Sequence, residues 1–200
     1  MIASTHAGSC FRLIAGSILL ALCSTGQGAV VCSPMTDLNL PATTEGLYVN
    51  LVTVVSGTSE GAVPGFDFNP YAAASTDPAG QLKFYWGAES GGGAGVASTG
   101  TTYAVLGPGV SIGADTLFTR AAFTGDTTAW QAGTTGYLGT RFRDETTGLL
   151  LYGWLSLSTT APLGFPGTMH GWCYEDSGAS IVTPDAPASD RIFADGFENP

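Results

Sequence analysis

One segment of the chain constrains the fold more than any other. Residues 136–154, GYLGTRFRDETTGLLLYGW, contain two runs of alternating side chains separated by a short polar stretch that ends in glycine. Residues 137–144 can pair with residues 149–156 across the loop 145–148, where Gly148 supplies the left-handed conformation that such loops often need. The segment therefore predicts an antiparallel β-hairpin.

The register of this hairpin assigns every unusual residue to a face of the sheet, because side chains alternate along a strand. Two core pairs result, Leu138 with Leu155 and Phe142 with Leu151. On the other face Arg141 lies opposite Tyr152, and Gly139 lies opposite Trp154. The guanidinium can rest against either ring, an interaction of about 0.5 to 1 kcal/mol at an exposed site. The same gathering of charge and aromatic rings would also suit a binding or active site.

Composition extends the β prediction to the whole chain. Only 11% of the 200 residues are charged and 29 are glycine, which is typical of strands joined by many turns. One further strand is predicted over each of residues 46–57, 81–86 and 170–176. We therefore expect an all-β fold, a single antiparallel β-sandwich with a jelly-roll-like arrangement, over residues 33–183.

Both ends of the chain differ from this central domain. Residues 13–22, LIAGSILLAL, form an apolar run followed by small and polar residues, so residues 1–28 are predicted to be a secretory signal peptide. The run is about half the length that a transmembrane helix needs, and no transmembrane segment is expected in the mature chain. Residues 184–200 are predicted to be a polar linker and a short coda, RIFADGFENP.

The cysteines fit an exported protein. Removal of the signal peptide takes away Cys10 and Cys23 and leaves Cys32 and Cys173, one near each end of the domain. Two cysteines in an exported chain predict a disulfide bond.

Charge limits the choice of partners. Six basic residues oppose sixteen acidic residues, and the loss of Arg12 with the signal peptide leaves five. Nucleic acid is therefore excluded as an expected partner. No metal-binding motif is present and no cofactor is expected; the loop residues Asp67, Asp77, Asp115 and Asp126 give only a weak signal for calcium.

No recognisable catalytic set is present, and the chain is not expected to be an enzyme. Nucleophilic hydrolysis would need a base beside a serine or cysteine, and His170 is the only histidine outside the signal peptide. The run Asp176-Ser177-Gly178 is interpreted as a turn. Acidic neighbours, Asp144 with Glu145 and Glu175 with Asp176, point to opposite faces of a strand, so neither pair alone forms a glycosidase cleft.

Aromatic side chains offer the main alternative to a purely structural protein. Five of them would form an exposed platform with Arg141 if their strands left one face open: Tyr85, Tyr152, Trp154, Trp172 and Tyr174. Such a platform could stack against sugar rings, which would make the chain a carbohydrate-binding module that contacts extracellular polysaccharide or matrix. Packing of the same rings between neighbouring strands is the other interpretation.

The order of several short motifs resembles a known family. PGFDFNPY, LKFYW, GYLGTRF, LLYGWLSL, GWCYED and ASI follow one another over residues 46–182 as in a β-rich domain of secreted bacterial proteins that often carry a PEP-CTERM sorting tail. The resemblance implies an exported surface or matrix protein with no established catalytic residues. This chain lacks the Pro-Glu-Pro motif, and its Asp-Gly-Phe-Glu coda resembles one found on exported proteins of some Gram-negative bacteria.

These observations favour an exported, non-enzymatic extracellular or cell-surface protein. A carbohydrate-binding module is the alternative function, and a secreted hydrolase is the third.

Overall fold

The computed structural model describes residues 28–85 and 94–185, and it shows an all-β fold. Almost all of the predicted signal peptide and coda lies outside the described residues. The strands are β1 Val30–Cys32, β2 Leu38–Leu40, β3 Tyr48–Asn50, β4 Val55–Gly57, β5 Asn69–Ala73, β6 Gln81–Tyr85, β7 Gly95–Thr99, β8 Thr102–Tyr103, β9 Ser111–Ile112, β10 Phe118–Thr119, β11 Thr135–Arg143, β12 Leu150–Ser158, β13 Gly167–Glu175 and β14 Ile181–Val182. A 3₁₀ helix covers Glu60–Ala62, and α1 covers Thr128–Gln131.

The largest element is an antiparallel sheet of eight strands. Six of them follow the order β1-β13-β12-β11-β7-β10, while β2 also pairs with β13 and β8 with β7. At its centre β11 and β12 form the predicted hairpin, with Leu138 opposite Leu155 and Arg141 opposite Tyr152. The predicted register is therefore confirmed, and Gly148 has the positive φ that the loop required.

One strand of the sheet carries two separate partners along the same edge. β2 pairs with the first part of β13, and β1 pairs with its last part. Residues 33–37, which connect β1 to β2, therefore cross the middle of β13. In this middle part the pairing of β13 with β12 shifts by one residue between Ser156 and Leu157. The shift is a β-bulge, which re-aims the side chain of the extra residue.

At the central strands β11 and β12, both faces of the large sheet are buried. On one face Leu138, Phe142 and Leu155 pack with side chains of the smaller pairs β3–β4 and β5–β6 and with α1. On the other face a second cluster contains Tyr137 and Trp154 of the hairpin together with residues near the β9–β14 pair. The all-β prediction is confirmed. The additional layers are two-stranded pairs, and they do not confirm a two-sheet sandwich or a jelly roll.

The predicted strand over residues 46–57 is two strands, and that prediction was wrong. The Asn50 side-chain carbonyl accepts hydrogen bonds from the backbone N–H groups of Val52 and Thr53, at 3.1 and 2.8 Å. An asparagine that bonds to the backbone two residues ahead favours a turn, and this turn folds β4 back onto β3.

The predicted disulfide bond is confirmed. Cys32 and Cys173 are bonded and are register partners on β1 and β13, 141 residues apart in the sequence. The bond therefore joins the first strand of the described domain to its last long strand.

Candidate functional site

The expected aromatic platform is absent from the described surface. Tyr152 and Trp154 are 8% and 4% exposed, and Trp172 and Tyr174 are 3% and 8% exposed. The two pairs also lie in different core clusters on opposite faces of the sheet. The prediction of an exposed platform was wrong because layers of short strands cover both faces. Of the five aromatic residues predicted to form the platform, only Tyr85, at the end of β6, is exposed.

Arg141 rests on a ring that the hairpin alone could not supply. Its guanidinium carbon lies 4.7 Å from the centroid of Phe118 on β10. The Phe118 ring in turn stacks against Tyr152, with centroids 5.9 Å apart. Phe118 therefore lies on this face of the hairpin, and the Arg141 face is covered by the protein itself. A contact of Arg141 with Tyr152 or Trp154 stays a prediction.

The charged loop of the hairpin lies beside a small polar cavity. Its volume is about 40 Å³, and its lining includes Asn50, Asp67, Arg143 and Asp144. Such a volume suits a few water molecules and is too small for a sugar ring. Asp144 accepts hydrogen bonds from Thr146 and Thr147 within the loop, so this carboxylate shapes the turn.

A different group of side chains has the arrangement of a hydrolytic site. The Ser158 hydroxyl lies 2.8 Å from Nε2 of His170, and Nδ1 of His170 lies 2.8 Å from a carboxylate oxygen of Asp37. The His170 side chain is 11% exposed, whereas that of Asp37 is 68% exposed. Serine, histidine and aspartate in this order form the set that activates a serine hydroxyl in many hydrolases. We call these three residues the Ser158 cluster.

The acceptors and donors in the Ser158 cluster fix the proton positions when the imidazole is neutral. A carboxylate can only accept, so Nδ1 of His170 carries the ring proton and donates a hydrogen bond to Asp37. Nε2 is then an acceptor, and it must receive the Ser158 hydroxyl proton. The Ser158 oxygen is left to accept from the Thr135 hydroxyl, which lies 2.8 Å away. This is the tautomer in which histidine can act as a general base toward serine.

The β-bulge brings His170 to Ser158. On β12 Ser156 pairs with Gly171 and Leu157 pairs with Met169, so His170 is the extra residue without a register partner. The His170 ring therefore reaches Ser158, which follows Leu157 and is the last residue of β12.

The connection between β1 and β2 brings Asp37 to the same place. Ser33 anchors this connection, because the Ser33 hydroxyl accepts a hydrogen bond from the Trp172 backbone N–H at 3.0 Å. Gly171 leaves it room: a Cβ atom there would lie 2.4 Å from the Met35 sulfur, and its φ of +138° also favours glycine. The crossing segment then ends at Asp37, directly before β2.

Sequence reasoning identified His170 as the only candidate base and missed both of its partners. Asp37 is 133 residues away and meets His170 only because β1 and β2 both pair with β13. Ser158 ends an ordinary alternating strand. The local signal for the bulge that aligns it with His170 is Gly171, because a glycine inside a strand pattern suggests a bulge, and this signal was not used. The alternative serine, Ser177, is confirmed to lie in a turn, where its hydroxyl bonds to Glu175.

Two of the four aspartates considered for calcium, Asp67 and Asp126, accept hydrogen bonds from the protein. Asp67 accepts the Leu51 N–H at 2.8 Å, and Asp126 accepts the Thr102 hydroxyl at 2.6 Å. Within residues 28–85 and 94–185, no group of three or more His, Cys, Asp or Glu side chains converges as a metal site would require. The same described ranges contain no helix that is long and apolar enough to cross a membrane.

Comparison of the chain with protein-family models, with curated proteins and with solved structures gives no match. The resemblance to domains of PEP-CTERM-type proteins therefore stays a prediction. What is known of the site is its geometry.

Proposed function

We propose that the protein is exported and acts as a scaffold outside the cytoplasm, in the medium or at the cell surface. The observation that carries this proposal is the bond between Cys32 and Cys173. Structural disulfides persist in oxidising compartments and are rare in the cytosol. The predicted signal peptide over residues 1–28 points the same way.

Burial favours a scaffold over a carbohydrate-binding module. Sugar stacking needs exposed rings, whereas Trp154 and Trp172 are 4% and 3% exposed. The rings stabilise the domain by packing between layers. The acidic composition, with sixteen acidic and six basic residues, keeps such a scaffold soluble and disfavours anionic partners.

Fractionation of bacteria that express the full chain tests the proposal. We expect the protein in the periplasm, the medium or the outer surface fraction, shortened by about the predicted 28 residues and with Cys32 and Cys173 oxidised. A variant with a charged residue in the apolar run, Leu19→Arg, is expected to stay in the cytoplasm at full length. A wild-type chain that stays at full length in the cytoplasm with both thiols reduced would contradict export.

A further inference from the structure

We propose that Ser158 is a nucleophile toward acyl esters, with His170 as its general base and Asp37 as the residue that positions His170. This goes beyond the proposed scaffold, and it would replace the expectation that the chain is not an enzyme.

Three features of the Ser158 cluster carry the proposal. Both imidazole nitrogens have partners of the right type, each at 2.8 Å, so the ring is held in the tautomer that can take a proton from serine. His170 and Ser158 lie on neighbouring strands of the same sheet, and rigid strands hold a site more closely than loops do. Ser158 is partly exposed at the end of β12, so an ester can reach its oxygen from solvent.

The chemical step can be written with these groups alone. The Ser158 oxygen attacks the carbonyl carbon of the ester while its proton passes to Nε2 of His170. The bond from that carbon to the leaving alcohol oxygen then breaks, and His170 returns the proton to this oxygen. An acyl-serine remains. Water adds by the same route, releases the carboxylic acid and restores Ser158.

Charge and exposure narrow the class of ester. A net charge of −10 repels anionic substrates, so neutral or cationic esters are favoured. The Thr135 hydroxyl lies 2.8 Å from the Ser158 oxygen and donates a hydrogen bond to it, which helps to hold the Ser158 proton directed at His170. An activated ester needs less assistance to its leaving group than an amide does, and it is the substrate chosen for the test.

The competing explanation is structural. The same hydrogen bonds could serve only to hold the crossing segment, residues 33–37, over the bulge of β13. Both explanations predict that variants of Asp37 or His170 lose some stability. They differ in the reactivity of the Ser158 oxygen, which a purely structural network has no reason to raise.

The test uses the purified mature protein with its disulfide intact, a fluorophosphonate probe and p-nitrophenyl acetate. We expect one phosphonyl group per chain on the peptide that contains Ser158, and release of p-nitrophenol above the buffer rate. Ser158→Ala should abolish both signals. His170→Gln should slow labelling by about 100-fold or more, the range expected for loss of a general base. Ser111→Ala, which changes an exposed strand serine far from any histidine in sequence, should label at the wild-type rate.

The positioning role of Asp37 needs a measurement that a loss of stability alone would not change. Asp37→Asn should slow labelling by about 10-fold or more, and Asp37→Glu should recover part of the rate because it restores the carboxylate. Thermal unfolding of each variant shows whether the fold is retained. A folded wild-type protein that is not labelled, or is labelled equally in Ser158→Ala, would overturn the proposal. Export is measured separately by fractionation, so either proposal can fail alone.

Discussion

Gly139 shows how closely the second face of the large sheet is covered. A Cβ atom built on Gly139 would lie 2.7 Å from the Ala97 Cβ, 2.9 Å from a Leu106 methyl and 3.3 Å from an Ile112 methyl. The Ala97 atom is attached directly to the backbone of β7 and cannot turn away. Any side chain at position 139 must therefore displace a neighbouring strand.

We expect Gly139→Ala to lower the free energy of unfolding by about 1 to 3 kcal/mol, the usual cost of overpacking a core. Urea unfolding measures it. Gly107→Ala is the matched control, because a Cβ atom there meets nothing within 4 Å. Equal stability of the two variants would show that the face is more loosely covered than described.

Asp126 provides a pH-dependent contribution at the start of α1. A hydrogen bond from the Thr102 hydroxyl, followed by bonds from the backbone and hydroxyl of Thr128, lowers the pKa of this carboxyl group below its ordinary value of 3.8. A group whose pKa is lowered in the folded state stabilises the protein above the unfolded pKa. That stabilisation is lost as the pH falls from about the ordinary value through the folded pKa.

We therefore expect Asp126→Asn to be less stable than wild type at neutral pH, with the difference shrinking as the pH falls below 3.8. Urea unfolding over a pH series measures the difference. Asp115→Asn, an exposed loop carboxylate, is the control for the change in net charge. A difference that stays constant with pH would contradict the hydrogen-bonding explanation.

At the scale of elements, the β3–β4 hairpin contains a strained residue. Val54 has φ of +60°, a conformation that costs a β-branched residue about 1 to 2 kcal/mol. Asparagine tolerates this conformation far better. Val54 and Val55 are almost equally exposed, at 43% and 42%, but of these two residues only Val54 has a positive φ.

We expect Val54→Asn to raise the free energy of unfolding by about 1 kcal/mol, through relief of backbone strain. Val55→Asn removes similar exposed apolar surface from a strand position and should give no gain. The comparison by thermal or urea unfolding separates the backbone effect from the surface change. Similar shifts in both variants would refute the assignment of strain to Val54.

The two hairpins also show which elements can be predicted from the sequence. The β11–β12 register follows from alternation along residues 137–144 and 149–156 and from Gly148 at the turn, all of which are local. The β3–β4 turn depends on how one side chain, Asn50, bonds to the backbone within a run that otherwise resembles a continuous strand. The only local marker of the β12–β13 bulge is Gly171 inside β13, which by itself does not give the register on either side of it.

At the scale of the whole molecule, the Ser158 cluster depends on contacts that no local pattern encodes. His170 was identified because it is the only histidine outside the predicted signal peptide, residues 1–28. Asp37 joins it through the pairing of two short strands with the same edge of β13. The aromatic residues were placed on the right strands, but their burial depended on which distant segments cover each face.

The disulfide bond joins β1 covalently to β13, the strand that β1 also pairs with. Cys32 and Cys173 are 141 residues apart, and the chain-entropy model assigns about 5 kcal/mol of stabilisation to a loop of this order. The bond also holds β1 on β13, next to the crossing segment that carries Asp37. We therefore expect Cys32→Ala/Cys173→Ala to lower the free energy of unfolding by several kcal/mol and to weaken the contact between Asp37 and His170.

Urea unfolding with and without reductant measures this contribution, and intact mass should rise by two hydrogen atoms on reduction, because each sulfur becomes a thiol. The double variant is its own control, because reductant should leave its unfolding midpoint unchanged. If Ser158 is reactive as proposed, reduction should also slow its labelling by the fluorophosphonate under conditions in which the protein remains folded, since Asp37 would no longer be held against the imidazole. An unfolding midpoint that does not respond to reductant in the wild-type protein would show that the bond adds nothing to a fold already closed by strand pairing.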